Sequence, residues 1–342
     1  MKCYKCQSQL PESGSVCPAC GQQVYTTASS PASSLGRRID GCLEEAPSPK
    51  DYHAVPTLTT IPHTVDLRDH CSPVEDQGRI GSCVACAVVG ATEYQHRKAG
   101  RPAVDLSRMF VYFNARRMRG TEQHDNGTTI AAGMAAFLAF GAPPEASWPY
   151  DPELVTKTPD DPAFQKGLEN VPAEYARVDG IENVKGALAQ GFPVVFSASV
   201  PQRCYEEAGR TGVIPPPTAA EVAEIRTQNG RHALLLVGYD LNDKTFLVRN
   251  SWGADWGRQG YCRMSFDTFT ATLAANTTWI LGKLESGAFT IVRPALTATP
   301  VEGGVRDLAS KMRDEIRGNL MKDLQDSFKD IKSRVNPPRR DG

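Results

Sequence analysis

Apolar positions along this chain follow three different textures. Between about Val65 and Val292 they gather into helical and extended runs, whereas small and polar residues dominate on either side. Val84 to Lys98 and Thr129 to Phe140 have the spacing of buried helices. Pro193 to Val200, Ala233 to Tyr239, Thr245 to Asn250 and Gly260 to Met264 have the β-branched and aromatic bias of strands. Helices come early and strands late, which predicts an α+β domain. Past Pro300, Val305, Leu308, Met312, Ile316, Leu320, Leu324, Phe328, Ile331 and Val335 recur every three or four residues in a charged background, the pattern of one amphipathic helix. Towards the other end, Thr26 to Ser34 contains only Thr, Ala, Ser and Pro, and Pro47 to Pro62 is turn-rich, so this stretch reads as a flexible tether. These shifts divide the chain into residues 1–24, a linker at 25–62, a main domain at 63–295, and a helical tail at 296–342.

Composition narrows the functions open to it. With 342 residues, 40% apolar and 23% charged, a large core is possible and wholesale disorder is excluded. Basic residues number 38 against 39 acidic, a net charge of −1, so no nucleic-acid partner is expected. Nor is a membrane. The longest low-charge apolar stretch, Thr129 to Pro144, falls short of the roughly 20 apolar residues a span needs. The stripe at 305–335 sits among balanced charges and suits self-association or partner docking better than a lipid surface. Met1 to Cys6 has no apolar core for a signal peptide, which predicts a cytoplasmic location.

Cysteine spacing adds a metal. Cys3 and Cys6 are separated by ten residues from Cys17 and Cys20, an arrangement of two Cys-x-x-Cys pairs that suits one structural, tetrahedral Zn²⁺. So short a unit cannot bury a core of its own, and the metal would supply most of its folding free energy. It resembles a zinc ribbon.

The densest chemical signal is Gln77-Gly78-Arg79-Ile80-Gly81-Ser82-Cys83, which runs directly into the helical pattern at Val84. A cysteine at a helix N-terminus feels the positive end of the helix dipole, which favours its thiolate and marks Cys83 as a candidate nucleophile. Such a thiol needs a base that titrates near neutrality. Among six histidines, His53, His63, His70, His96 and His124 lie in polar surroundings, while His232 heads the strand-like run Ala233 to Tyr239. Asn250 ends the next such run, where its amide could hold an imidazole.

These blocks resemble those of the papain-like cysteine peptidases, the C1 family, in its prokaryotic type. Gln77 to Cys83 is similar to that family's oxyanion glutamine and nucleophile. Asn229-Gly230-Arg231-His232-Ala233 is similar to its histidine block, and Asn250-Ser251-Trp252-Gly253 to its asparagine block. Val65-Asp66-Leu67-Arg68 and Trp148-Pro149-Tyr150 add two lesser matches. The resemblance implies a two-lobed fold with a cleft between helical and β-rich halves, a peptide or protein substrate, and no catalytic cofactor. It makes Cys83 the nucleophile, His232 the acid and base, and Asn250 the residue that orients the ring. Gln77 becomes an oxyanion donor beside the Cys83 N–H, and Trp252 the shield over the His232–Asn250 bond. Gly127 and Thr128, in a loop similar to one that pairs with substrate backbone, become substrate-binding residues. The activity implied is that of a cysteine endopeptidase working through a thioester acyl-enzyme. Two other readings use the same scaffold: a non-catalytic peptide-binding or regulatory module, and a peptide ligase or transpeptidase.

The chain also departs from the family pattern. Ile80 stands where the signature has a cysteine, which removes a disulfide as a reducing compartment requires, and Val84 stands where it has an aromatic. About forty residues separate the ribbon from Val65, too few for a long inhibitory propeptide, so activation by propeptide removal is not expected. The stretch Thr211 to Gln228, with Pro215, Pro216 and Pro217, reads as a loop inserted beside the cleft.

Overall fold

The computed structural model describes residues 37–45, 48, 51–171, 174–227, 231–284 and 287–292. The proposed zinc ligands Cys3, Cys6, Cys17 and Cys20 and the amphipathic stripe at 305–335 lie outside the described residues. Eight α-helices are described: α1 (Cys83–Lys98), α2 (Arg108–Arg117), α3 (Ile130–Phe140), α4 (Asp161–Gly167), α5 (Ile181–Ala189), α6 (Gln202–Thr211), α7 (Ala219–Thr227) and α8 (Phe266–Thr272). The described strands are β1 (His53–Pro56), β2 (Thr64–Asp66), β3 (Glu174–Arg177), β4 (Val194–Ala198), β5 (Val213–Ile214), β6 (His232–Asp240), β7 (Thr245–Arg249), β8 (Tyr261–Ser265), β9 (Trp279–Gly282) and β10 (Phe289–Val292). They form one sheet in the order β10-β1-β3-β9-β4-β6-β7-β8-β5, with β2 paired to β6.

Two apolar cores make the molecule two-lobed and α+β. The first gathers Val84, Val88, Met109, Phe110, Met134 and Phe137 from α1, α2 and α3. The second gathers Val194, Phe196, Leu234, Leu236, Phe246 and Val248 from the central strands. Residues of β6 alternate between them, since successive side chains of a strand face opposite ways: Ala233, Leu235 and Val237 join the helical core, Leu234 and Leu236 the sheet core. This strand is therefore the shared wall of both lobes, and His232 is its first residue.

Local chemistry sets the helix starts. Ser107 accepts from the Phe110 N–H to cap α2, and Thr129 accepts from the Ala132 N–H to cap α3. Ser82 precedes α1 without capping it; its hydroxyl instead lies 2.5 Å from that of Tyr150. Helices α1 and α3 pack closely at Gly133, where a Cβ would stand 2.6 Å from Val84 Cγ1. A Gly133→Val protein is expected to lose about 1–3 kcal/mol of stability through overpacking, read as a lower urea midpoint at unchanged slope.

Two expectations from sequence need correction. The stretch to residue 62 is not all tether: β1 pairs with β10 and β3, Ala54 is buried, and residues 37–45 lie against the body of the domain. Four residues are too few to show a period, so the turn-rich composition around β1 masked it. The stretch after Thr211 is not a plain loop either, since it contains β5 and α7.

Candidate active site

Cys83 is the first residue of α1 and is fully buried. The Ala233 N–H, at the start of β6, donates to its sulfur at 3.4 Å, which places the thiol against the strand residue next to His232. His232 Nε2 lies 2.8 Å from Asn250 Oδ1, while Nδ1 has no hydrogen-bond partner among the described residues. Asn250 follows directly on β7, whose last residue, Arg249, donates to the Ser72 and Pro73 carbonyls at 2.6 Å each. Those charge-assisted bonds fix the end of the strand and with it the amide that holds the ring.

An aromatic cage closes over this pair. Trp252 stacks on His232 with ring centroids 4.8 Å apart, and Tyr205 meets the imidazole edge-on at 5.6 Å. Trp256 packs edge-on against Trp252 in turn, at 5.4 Å. Excluding water strengthens the His232–Asn250 bond. Gln77 is buried beside them. Its Nε2 donates to the Ile80 carbonyl at 2.8 Å and its Oε1 accepts from Ser251 Oγ at 2.5 Å, so the amide is held with a second Nε2 hydrogen left over. The structure thus brings Cys83, His232, Asn250, Gln77 and Trp252 into one constellation.

Gly127 and Thr128 stand across the cleft, already engaged. Thr128 N–H donates to the Gly41 carbonyl at 3.1 Å and the Leu43 N–H donates to the Thr128 carbonyl at 2.9 Å, a parallel bridge centred on Cys42. On the opposite wall the Cys42 N–H donates to the Arg231 carbonyl at 3.1 Å. Residues 37–45 therefore form a strap through the cleft. Gly41 passes directly over the nucleophile: a Cβ there would be 3.0 Å from Cys83 Sγ and 2.7 Å from the Gly81 carbonyl oxygen. Gly127, at φ +78°, has no side chain to keep Gly41 away.

Side chains hold both ends of the strap. Arg38 reaches the Asp125 carboxylate at 2.9 Å and its backbone carbonyl at 2.8 Å. Asp125 also accepts from the Gly81 N–H and the Tyr112 hydroxyl. At the far end, Glu45 accepts from the Ala131 N–H in the first turn of α3 at 2.7 Å and from Trp279 Nε1 at 3.0 Å. A segment need not be a long propeptide to lie in the cleft. Occluding the cleft takes only nine residues, 37–45.

Burial, to which the strap contributes at Cys83, also reverses the expected activation of the thiol. Desolvation pushes Cys83 up to about 12, against smaller help from the Ala233 and Val84 N–H groups, and pushes His232 down to about 4. Both groups are neutral in this closed state. A Gly41→Ala substitution should crowd the strap by about 1–3 kcal/mol. Iodoacetamide should then label Cys83 roughly 5- to 150-fold faster. An unchanged rate would show that the strap does not limit access.

Sequence reading missed Tyr205, Asp125, Arg249 and the strap itself. Only the strap left a trace: after the charge-free run Thr26 to Ser34, charges return abruptly at Arg37, Arg38 and Asp40 around the small Gly41. Among the described residues, no group of three His, Cys, Asp or Glu is placed to hold a metal.

A thiol on the first turn of a helix, an imidazole on the facing strand, an amide behind it and a cleft between two lobes together define a cysteine peptidase architecture. The chain belongs to the papain family of cysteine proteases, whose sequence profile matches residues 61–279. It is 33% identical over 217 residues, 60% of this chain and 68% of the other, to an uncharacterised peptidase C1-like protein of Acanthamoeba polyphaga mimivirus. It is 31% identical over 223 residues to cathepsin L of Sarcophaga peregrina, covering 61% of this chain and 60% of that one. Xylellain, a cysteine protease of Xylella fastidiosa, superposes with a TM-score of 0.62 at 30% identity over 72% of this chain and 97% of its own. Papain-family peptidases need no cofactor for catalysis. No described helix is long and apolar enough to cross a membrane.

Proposed function

We propose that the protein is a latent endopeptidase that hydrolyses peptide bonds through a thioester acyl-enzyme once residues 37–45 leave the cleft. The observation that carries this reading is the Cys83 sulfur lying under the N–H next to His232, whose far nitrogen is held by Asn250. With the strap lifted and water admitted, the burial that neutralises both groups is relieved. The Cys83 proton then passes to His232 Nδ1, and the thiolate attacks the substrate carbonyl. The Gln77 Nε2 and the Cys83 N–H receive the oxyanion, and imidazolium protonates the leaving amine. Water, deprotonated by the same ring, then cleaves the thioester. Asn250 keeps the ring in one tautomer, Trp252 shields their bond, and Gly127 and Thr128 pair with substrate backbone in place of the strap.

Mapping the bonds cut in a diverse peptide library by the reduced protein tests this reading. New free termini support hydrolysis, joined peptides support ligation, and binding without either supports a regulatory module. We also place the protein among prokaryotic-type members in a reducing, cytoplasmic setting. Supporting this, all six described cysteines are free, Cys42, Cys71, Cys83, Cys86, Cys204 and Cys262.

Residues 1–24 we read as a zinc ribbon that targets the enzyme, with Cys3, Cys6, Cys17 and Cys20 as ligands, and 305–335 as a docking helix. Removing zinc with a chelator should leave short-peptide cleavage unchanged while impairing action on a large assembly. Loss of short-peptide cleavage would tie the metal to the catalytic domain.

A further inference from the structure

Cys83 is followed on the same helix by Cys86, buried and used by no step of the chemistry above. Helix geometry places Cα atoms three residues apart at about 5 Å. That lies within the separation of about 4.4–6.8 Å that a disulfide spans. Helical side chains lean towards the N-terminus, and Cys86 does so: its sulfur is 3.9 Å from Ser82 Oγ, back over the turn that carries Cys83. The Cys83 sulfur lies against Ala233, and Ala233 lines a small cavity together with Cys86, Asn250 and Ser251. Both thiols thus face the same strand, with free space beside the second.

We propose that Cys86 is a resolving thiol for Cys83, so that peroxide oxidation of the nucleophile ends in a reversible Cys83–Cys86 disulfide. In the first step the Cys83 thiolate attacks one oxygen of hydrogen peroxide. An S–O bond forms, the O–O bond breaks, and hydroxide leaves to be protonated to water. The sulfur is oxidised by two electrons and the peroxide reduced. In the second step the Cys86 sulfur attacks the Cys83 sulfenic acid. The S–S bond forms, the S–O bond breaks, and the departing hydroxide takes up the Cys86 proton as water. A dithiol returns both residues to thiols. Without such a neighbour, a second molecule of hydrogen peroxide oxidises the sulfenic acid to sulfinic acid, itself becoming water, and dithiols do not reverse that step.

Cys42 is the other thiol near the nucleophile, but it belongs to the strap and departs with it when the cleft opens to peroxide. Cys86 stays, because α1 carries both partners. The effect on turnover rests on the peptidase reading; formation of the disulfide does not.

The test uses the full chain, reduced, treated with a few equivalents of hydrogen peroxide, alkylated with iodoacetamide and digested with trypsin. Cleavage after Arg79 and Arg97 releases Ile80 to Arg97, in which Cys83 and Cys86 are the only cysteines. The expected fragment is unalkylated and two hydrogens lighter than its dithiol form, and dithiothreitol restores it together with short-peptide cleavage. In Cys86→Ala, and in Cys86→Val as a variant that keeps side-chain bulk, Cys83 should appear as sulfinic acid and activity should not recover. Wild-type Cys83 over-oxidising as readily as in the variants, or cross-linking to Cys42, overturns the proposal. A disulfide formed in a chain that never cleaves peptides supports the resolving role and counts against the peptidase reading alone.

Discussion

Replacing Cys83 or His232 by alanine is expected to lower kcat on a short peptide by about 10⁴- to 10⁶-fold, leaving the residual rate that binding and oxyanion donors supply. The two substitutions should part company in stability. Cys83→Ala removes one sulfur held only by weak contacts, the Ala233 N–H at 3.4 Å and the neighbouring Val84 N–H, so the thermal midpoint should hardly move. His232→Ala takes one of the two donors from Asn250 Oδ1, leaving only the Ser251 N–H, and removes the ring from beneath Trp252, which together should cost about 1–3 kcal/mol. Asn250→Ala should be milder in rate, about 10²- to 10³-fold, because it orients the ring and transfers no proton. Peptide cleavage that survives Cys83→Ala would overturn the acyl-enzyme mechanism.

The second large effect concerns Glu45 and pH. Burial pushes its carboxyl up to about 7, with Asp51 adding repulsion, while the Ala131 and Trp279 donors and Arg177 pull the other way. Freed into water it returns to its ordinary value of 4.5. An acid whose docked value is raised binds a proton on docking, so docking is strongest below the free value and weakens as pH climbs towards the docked value. The strap should therefore hold tightly at acid pH and loosen between about pH 4.5 and 7. The difference amounts to roughly 3 kcal/mol, on the order of 10²-fold in the closed-to-open ratio. Iodoacetamide labelling of Cys83, taken as the ratio of wild type to Glu45→Gln at each pH, cancels the titration of the thiol itself. That ratio should rise across the window and level off above it; a flat ratio removes Glu45 as the latch.

Legibility of the fold in sequence followed element length. Strands β6, β7 and β8 and helices α1 and α3 lie within a residue or so of where pattern places them, because each is long enough for its bias to show. Helix α2 escaped because Met109-Phe110-Val111-Tyr112-Phe113 has the composition of a strand; its Ser107 cap, set three residues before Phe110, was the missed cue. Strands β1, β3, β9 and β10 have four residues each, too few to distinguish alternation from chance.

Within the site, Cys83, His232, Asn250 and Gln77 were legible because each belongs to a compact block with local structural meaning. Tyr205 and Asp125 were not, since their importance comes from what the fold brings to them across long separations. Cys83 does open α1, where the helix dipole favours a thiolate. Desolvation of the buried thiol outweighs that dipole, and residues forty positions upstream contribute to it, which no local rule anticipates.

The carbonyl of Gly41, which passes over the nucleophile, is committed to the Thr128 N–H rather than to the Gln77 amide. The strap therefore fills the cleft as an inhibitor carried in cis and not as a bond offered for cutting. An inhibitor on the same chain has an effective concentration that dilution cannot lower. Substrate must displace it by mass action, so the closed fraction raises the apparent KM and leaves kcat at saturation unchanged. A scarce peptide would find the enzyme nearly silent, whereas an abundant one would open it without any irreversible cut.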